Sequence, residues 1–334
     1  MLCIKVPLKE AEKAKKLLVA KEMLDSGYFV KKDSKFIYFP VTGKFETAYQ
    51  FVNKALKQRK ERPDLKASLE AKLSPEEMKK LKTSMDVIGN IAIIEIPDEL
   101  KKKEKLIANE IMKVNKNIKT VLRKGKHEGD FRVQNLVHIA GEKTKEALHK
   151  ENNVLLKLDV EKVYFSPRLS NERKRIIQQI TKPEEVLVMF SGCAPYVCTV
   201  AKNTPACLVD GVELNPIGHE YAKQNLLLNK LDNANVFLGD VKTVVPELKK
   251  SYDRIIMPLP KSAADFLETA LGASKKGTII HFYDFQNENE FSKSEEKILK
   301  ACEEAGRKCK ILGITSCGQN APRQYRICVD FQIL

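Results

Sequence analysis

Residues 186–195 read Val-Leu-Val-Met-Phe-Ser-Gly-Cys-Ala-Pro, and this stretch decides the fold of the chain. An apolar strand that ends in a turn of small residues and opens a helix is where α/β proteins hold a nucleotide-like cofactor. The turn carries one glycine, Gly192, whereas a dinucleotide pyrophosphate needs close backbone approach at three. The loop therefore favours a cofactor with a single nucleoside and an amino-acid tail.

From Ser170 onward, strands and helices alternate regularly. Strands are predicted near residues 185–190, 207–213, 235–239, 252–257 and 277–285, followed by two consecutive strands near 309–317 and 324–334. This pattern predicts a seven-stranded mixed sheet, mostly parallel, with one antiparallel strand at or near its edge. The fold class is therefore α/β, a Rossmann-like AdoMet-dependent methyltransferase domain, preceded by two smaller α+β domains.

Acidic residues stand at the ends of the next two strands. Glu213 lies 21 residues after Gly192, where a carboxylate can accept hydrogen bonds from both ribose hydroxyls. Asp240 ends the third strand, where it can meet the exocyclic amine of an adenine. Leu214 and Val241, which follow the two acids, are expected to contact the same cofactor. Each acid alone could be a solvated strand end or a turn.

The fourth strand ends in residues 257–260, Met-Pro-Leu-Pro. Prolines restrict the backbone, and this fold exposes its substrate at this point. Pro258 and Pro260 are therefore predicted to form a wall facing the substrate, with a purely structural turn as the alternative.

The chain divides into four predicted segments. They are a small basic α/β domain (1–60), a charged linker (61–72), a middle α+β domain (73–165) and the cofactor-binding domain (166–334). In the first domain, we predict strands at 2–6 and 35–41 and helices at 8–21 and 46–58. In the second, Ser74-Pro75-Glu76-Glu77 predicts a capping box. Residues 87–96 are predicted as one strand, and 154–160 with 162–165 as a strand-turn-strand.

The net charge of +15 is concentrated in the first half of the chain. Residues 1–165 hold 36 Lys and Arg against 24 Asp and Glu, and residues 1–60 alone hold 14 against 6. A uniformly lysine-rich surface is the alternative, common in proteins from hot environments. Concentration in one half favours a polyanionic partner, most simply a nucleic acid.

Apolar runs and cysteines exclude other classes of protein. No segment approaches the roughly 20 apolar residues of a membrane span, and the N-terminus begins directly as a strand. A cytoplasmic protein without a membrane partner is predicted. The eight cysteines form no Cys-x-x-Cys pair, so we expect buried reduced thiols and no metal site.

Residues 164–173 read Tyr-Phe-Ser-Pro-Arg-Leu-Ser-Asn-Glu-Arg. They put one carboxylate, Glu172, between the guanidiniums of Arg168 and Arg173, 20 residues before Gly192. This arrangement indicates reaction chemistry beside the cofactor; a salt-bridge cluster at a helix start is the alternative.

Over nearly its whole length the chain resembles the archaeal and eukaryotic tRNA (guanine-37-N1)-methyltransferases. The matching pieces are Gly129–Arg132, Tyr164–Arg173, Phe190–Pro195, Val212–Pro216, Gly239-Asp240, Met257–Pro260 and His281–Tyr283. The resemblance implies S-adenosylmethionine as cofactor, tRNA as partner and a monomeric enzyme. It also implies a first domain that senses the tRNA body and a middle domain that helps enclose the anticodon loop.

The resemblance also implies roles for single residues. Guanine N1 carries a proton at neutral pH, so a base must remove it while negative charge gathers on O6. Glu172 matches the family's proposed general base, Arg132 the residue that meets O6, and Arg173 the partner of the cofactor carboxylate. Tyr164 and Arg168 are expected to contact the substrate.

One departure and three alternatives stay open. Pro258 stands where many relatives carry an Asn that contacts cofactor or target base, and a proline side chain cannot make that contact. A wyosine-pathway aminocarboxypropyl transferase shares the implied fold and cofactor but needs a base at N1 less. A methyltransferase that also acts on the tricyclic wyosine intermediate is a further alternative. A tRNA-binding module with a vestigial pocket would not need Glu172, Glu213 and Asp240 together.

Overall fold

The computed structural model describes residues 1–59, 64–128 and 133–334. The chain forms two compact units, Met1–Ala67 and Ser68–Leu334. Within the described residues, no helix is both long and apolar enough to cross a membrane.

The first unit is a small antiparallel sheet with one helix packed on it. Its elements are β1 (Leu2–Pro7), α1 (Ala11–Ala20), β2 (Lys31–Lys32), β3 (Phe36–Pro40) and β4 (Gln50–Asn53), with strand order β2-β3-β1-β4. The predicted helix over residues 46–58 is wrong. Phe51 and Val52 pair with Ile4 and Cys3 of β1 instead, because β-branched and aromatic residues fit a half-buried strand beside an otherwise open edge.

The second unit begins with a four-stranded sheet. The helix α2 (Leu65–Glu70) includes the boundary between the units at residues 67 and 68. The elements that follow are α3 (Pro75–Lys80), β5 (Met85–Ile88), β6 (Ile91–Ile94), α4 (Glu104–Val114), β7 (Thr120–Glu128) and β8 (Val133–Gly141), with strand order β5-β6-β7-β8. The capping box at Ser74 is confirmed, with both reciprocal hydrogen bonds to Glu77 present. The single strand predicted over residues 87–96 is wrong, because the chain turns at Gly89 with φ of 58° and forms a hairpin.

A hairpin of β9 (Glu146–Glu151) and β10 (Val154–Asp159) comes next, followed by the large sheet. The remaining elements are α5 (Ser170–Gln179), β11 (Glu185–Met189), α6 (Pro195–Asn203), β12 (Leu208–Glu213), α7 (Pro216–Asn229), β13 (Ala234–Leu238), α8 (Val241–Glu247), β14 (Tyr252–Met257), α9 (Leu267–Gly272), β15 (Ser274–Asn287), α10 (Ser292–Glu304), β16 (Cys309–Ala321) and β17 (Gln324–Ile333).

The large sheet has the order β13-β12-β11-β14-β15-β17-β16. Strands β11 to β15 are parallel, and β17 is antiparallel to both β15 and β16. This confirms the predicted seven-stranded mixed sheet. Its inward side chains, such as Leu187, Met189, Ile255 and Phe282, are almost fully buried.

The β9–β10 hairpin is fastened to α7 by two asparagine side chains. The amide of Asn229 bonds both the N–H and the C=O of Leu155, at 2.9 and 2.7 Å, and Asn225 does the same at Lys157. These amides satisfy the strand edge as a neighbouring backbone would. Residues 162–165, predicted as a strand that follows this hairpin, form none.

Candidate cofactor cavity and active site

The loop after β11 has an unusual backbone. Phe190, Gly192 and Ala194 have φ of 57°, 57° and 66°, so every second residue is left-handed. Only glycine adopts this region without steric cost, and such strain is retained mostly at functional sites. The N–H of Ser191 donates to Val212 O at 2.8 Å, which ties the loop to β12 before α6 begins at Pro195.

A cavity of about 220 Å³ lies where β11, β12, β13 and β14 end. The carboxyl ends of parallel strands share one edge of the sheet, which is why residues distant in sequence meet here. All six residues predicted to bind cofactor line this cavity: Arg173, Gly192, Glu213, Leu214, Asp240 and Val241.

Among the described residues, only backbone N–H groups donate to Glu213. The N–H of Gly192 donates to its Oε2 at 2.6 Å, and the N–H of Asn215 to its Oε1 at 2.8 Å. Burial raises the pKa of this carboxyl, and the backbone N–H groups only partly oppose that rise. Because a carboxylate offers about four acceptor sites, Glu213 can still accept hydroxyl donors from the cavity.

Asp240 combines a structural and a cavity-facing position. Its Oδ1 accepts the N–H of Lys242 at 2.9 Å and so caps α8. Among the described residues, its other carboxylate oxygen has no protein partner, and the side chain lines the cavity. Its side chain can therefore cap α8 and accept a donor from a ligand at once.

The remaining walls are mostly apolar. Phe190 and Phe266 meet edge to face at 4.8 Å between ring centroids, and Leu214 is 54% exposed at the cavity rim. Ser191 Oγ is buried there without a partner in the described part of the chain. The cavity therefore combines an unpaired hydroxyl, two carboxylates that can accept further hydrogen bonds, and apolar walls. These features fit a cofactor with a nucleoside and a polar tail.

Arg173 lines the cavity, and its positive charge is paired with the carboxylate of Glu151. Its guanidinium pairs with Glu151 through Nε and Nη2, with the latter 2.7 Å from Oε2, and Nη2 also donates to Ser166 O at 3.1 Å. The rings of Phe165 and Tyr196 flank it. The hydrogens of Nη1 are the ones left to meet a cofactor carboxylate.

The predicted substrate residues separate into two groups. Tyr164 and Pro258 line the cavity, and the hydroxyl of Tyr164 accepts from Arg326 at 3.1 Å. Pro260 is buried and is not part of the cavity lining. Arg168 is not part of it either, because its Nε donates to Asp86 of β5 at 2.7 Å.

Arg132, predicted to meet guanine O6, lies outside the described residues. Its role at O6 therefore stays a prediction.

Glu172 is only 6% exposed and bonded on both oxygens. Arg175 donates to Oε2 from Nε at 2.8 Å and to Oε1 from Nη2 at 2.7 Å, and the Tyr283 hydroxyl donates to Oε1 at 2.6 Å. Burial acts to raise the pKa of Glu172, but these donors and the Arg175 charge outweigh it and lower the pKa below its usual value. Glu172 is not part of the cavity lining, but Tyr196 is. The hydroxyl of Tyr196 donates to Tyr283 Oη at 3.0 Å, and Tyr283 in turn donates to Glu172.

His281 belongs to one of the matching sequence pieces, but neither its role nor the other groups behind Arg175 were predicted. Its Nη1 donates to Asp330 Oδ2 at 2.5 Å, and Asp330 Oδ1 lies 2.7 Å from His281 Nδ1. His281 Nε2 lies 2.8 Å from Arg254 Nη1, and Arg254 Nε donates to Glu184 at 2.7 Å. The spacing of Glu172 and Arg175 on one helix was readable as an i,i+3 pair, but Asp330 is 155 residues further along.

Among the described residues, one group could in principle hold a metal ion, namely His281, Cys328 and Asp330, with ligand atoms within 4.8 Å of one another. Arg254 donates to His281, however, and Arg175 pairs with Asp330. Two guanidiniums already bonded to these groups would repel a cation, so the cluster is an ionic network.

Three family models match the chain in sequence order. Residues 3–49 match the tRNA methyltransferase 5 N-terminal domain, residues 65–144 the TYW2 N-terminal domain, and residues 147–312 the TRM5/TYW2 methyltransferase domain. Together these matches cover residues 3–312 except 50–64 and 145–146.

Full-length relatives agree. The chain is 41% identical to tRNA (guanine(37)-N(1))-methyltransferase Trm5b of Pyrococcus abyssi, with 99% of each chain covered. The crystal structure of P. abyssi Trm5b matches with a TM-score of 0.76 at 40% identity, covering 100% of this chain and 99% of that one.

Two further solved structures were determined with bound molecules. A complex of aTrm5 with tRNALeu matches with a TM-score of 0.72 at 31% identity, covering 100% of both chains. Methanocaldococcus jannaschii Trm5 in complex with adenosine matches with a TM-score of 0.68 at 29% sequence identity, covering 100% of this chain and 99% of that one. Sequence, domain order and fold therefore agree that the chain belongs to the tRNA (guanine(37)-N1)-methyltransferase family.

Proposed function

We propose that this chain transfers a methyl group from S-adenosylmethionine to N1 of guanosine 37 in tRNA. The observation that carries the proposal is the cavity at the strand ends, whose lining includes Glu213 and Asp240, in a chain matched from end to end by Trm5b. Glu172, one residue before cavity-lining Arg173, supplies the base that the reaction needs.

The cavity residues divide the work of holding the cofactor. Glu213 accepts hydrogen bonds from the ribose hydroxyls, and Asp240 accepts one from the adenine amine. Leu214 and Val241 pack against the adenine ring. Arg173 meets the carboxylate of the amino-acid tail. When bound, S-adenosylmethionine supplies a methyl group activated by a sulfonium charge.

Glu172 is proposed as the general base. A carboxylate beside a cation at neutral pH is ionised, and proton removal by a positioned group typically contributes roughly 10²–10⁴-fold to a rate. Arg132 is proposed to stabilise the charge that gathers on O6, as a preorganised cation would. Tyr164, Arg168, Pro258 and Pro260 remain proposed substrate contacts.

The basic first segment is proposed to bind tRNA. Residues 1–60 carry 14 basic against 6 acidic side chains and match the N-terminal domain of tRNA methyltransferase 5 over residues 3–49. We further propose that the enzyme acts as a cytoplasmic monomer; light scattering of the purified protein tests the monomeric state.

Labelled cofactor and nucleoside analysis test the function directly. A tRNA transcript with guanosine at position 37 is incubated with S-adenosylmethionine labelled either in the methyl group or in the aminocarboxypropyl chain. We expect the methyl label to appear in N1-methylguanosine. We expect no aminocarboxypropyl label in the tRNA. A transcript with adenosine at position 37 is the matched control. Chain label in the product would instead support the aminocarboxypropyl alternative, and methyl label equally present in the control would refute the site.

A further inference from the structure

One face of the β15–β17 pair is polar and buried. His281 lies opposite Asp330 and Tyr283 lies opposite Cys328, so the alternation of the strands puts all four side chains on the same face. This face packs against α5, where Arg175 meets Asp330 and Glu172 meets Tyr283. A continuous set of hydrogen bonds therefore runs from Glu184 to Glu172 through the domain interior.

The hydrogen bonds fix the form of His281. Arginine is a donor only, so the contact from Arg254 Nη1 makes His281 Nε2 an acceptor. The proton of the neutral ring then sits on Nδ1 and is donated to Asp330. Burial lowers the pKa of His281, which keeps the ring neutral at ordinary pH.

The charges in this buried network do not cancel. Three carboxylates, Glu184, Asp330 and Glu172, face two guanidiniums, Arg254 and Arg175. One negative charge is in excess while Glu172 is ionised. Uptake of one proton by Glu172 during the reaction brings the network to neutrality. Before the reaction, the Arg175 and Tyr283 donors lower the pKa of Glu172 and keep it ionised.

Two residues donate three hydrogen bonds to Glu172. Oε1 accepts from both Tyr283 and Arg175, and Oε2 accepts from Arg175 Nε. The Cys317 thiol of β16 also contacts the carboxylate.

We propose that Arg175, anchored by Asp330 on β17, is a positioning residue that holds Glu172 in place and keeps it ionised for removal of the proton on N1 of the target guanine. This inference rests on the proposed function. In the step, the N1–H bond breaks and an O–H bond forms on the carboxylate of Glu172. The electron pair left on N1 forms the bond to the methyl carbon, and the S–C pair leaves with sulfur.

Every element packed around Glu172 contributes a titratable group. These groups are Arg175 on α5, Tyr196 on α6, His281 and Tyr283 on β15, Cys317 on β16, and Cys328 with Asp330 on β17. Of these, Arg175 alone is a cation at neutral pH, because His281 is neutral. Removing Arg175 therefore leaves burial as the main influence on Glu172, and its pKa must rise.

The decisive experiment is the pH dependence of single-turnover methyl transfer in Arg175→Gln, at saturating tRNA and cofactor. A base works only when deprotonated, so a higher pKa of Glu172 removes activity at low pH first. We expect the acid limb to move upward by about 1–3 pH units, the range for a carboxylate losing an arginine partner. The rate should then partly recover as the pH is raised.

Lys174→Gln is the matched control. Lys174 is exposed on the same helix next to Arg175, so this variant loses the same charge without touching Glu172. Its pH profile should match the wild type. Tyr283→Phe, which removes one donor to Glu172, should move the limb in the same direction by less.

The outcomes separate the network from the proposed function. The inference is overturned if the Arg175→Gln protein folds, binds cofactor and shows the wild-type pH profile. This holds even if that variant forms N1-methylguanosine. If Arg175→Gln does not fold, an unshifted Tyr283→Phe profile overturns it equally. Wild-type protein that makes no N1-methylguanosine refutes the proposed function instead. A wild-type rate in Glu172→Gln refutes the role of Glu172 as base.

Discussion

Glu213 and Glu172 are carboxylates withdrawn from water in the same domain, yet their pKa values move in opposite directions. Burial raises the pKa of Glu213, whose hydrogen-bond donors are backbone N–H groups. Burial acts the same way on Glu172, but the guanidinium of Arg175 and the hydroxyl of Tyr283 lower its pKa overall.

The difference follows from what each site lacks. Backbone dipoles stabilise an anion less than a full opposite charge at the same distance. Glu213 is therefore an acceptor that still gains from the hydroxyl donors of a ligand. Glu172 already has its counterion, so it stays ionised without a ligand. The first arrangement suits binding and the second suits removal of a proton.

The largest expected effect is the loss of methyl transfer when Glu172 can no longer act as a base. Glu172→Gln keeps the shape of the side chain and removes its basicity, so single-turnover methyl transfer should fall by roughly 10²–10⁴-fold. Cofactor affinity, measured by calorimetry, should change little because Glu172 does not line the cavity. An unchanged rate would show that another group takes the proton.

Glu213→Ala tests the binding side. Hydrogen bonds to charged groups contribute about 1.5–3 kcal/mol, so cofactor affinity should fall by that free energy. Calorimetry measures it directly. Glu220→Ala is the control, because Glu220 lies on α7 in a largely exposed pair with Lys223. Wild-type affinity in Glu213→Ala would remove the ribose contact from the proposal.

A smaller effect is expected from pH. The pKa of Glu213 is raised, and the ribose hydroxyls are proposed to bind its ionised form. Cofactor affinity should therefore weaken as pH falls through that raised pKa. Affinity should be restored above it. Calorimetry in Glu213→Gln, which cannot ionise there, should show a flatter dependence; an equally steep one would assign the pH effect to another group.

The smallest effect concerns the first unit. Lys31, Lys32 and Lys35 are exposed there, and removing one lysine–phosphate ion pair should flatten the slope of log affinity against log salt by about 0.7–0.9. Filter binding of tRNA to the triple Gln variant measures the slope. The control is a triple Gln variant at three exposed lysines of the second unit, Lys276, Lys293 and Lys300. Equal slopes in both variants would argue against this tRNA-binding face.

Local signals accounted for much of the fold and for the meeting of six predicted residues at one cavity. Glu213 and Asp240 were found because parallel strands bring their carboxyl ends to one edge, so order along the chain predicts proximity. The same reasoning failed in the first unit, where residues 50–53 joined β1 as a strand. There the choice depended on an open strand edge elsewhere in the chain, which no local pattern contains.

The sequence by itself determined the alternation of strands and helices, the single-glycine loop and six of the residues that line the cavity. These depend on short-range periodicity and on a topology that fixes which strand ends meet. Only the tertiary structure decided the surroundings of Glu172. Asp330, His281 and Tyr283 lie more than a hundred residues from it, and they reach α5 because β17 inserts antiparallel between β15 and β16. The ionisation of a buried group depends on the charges around it in space, and sequence spacing does not encode those distances.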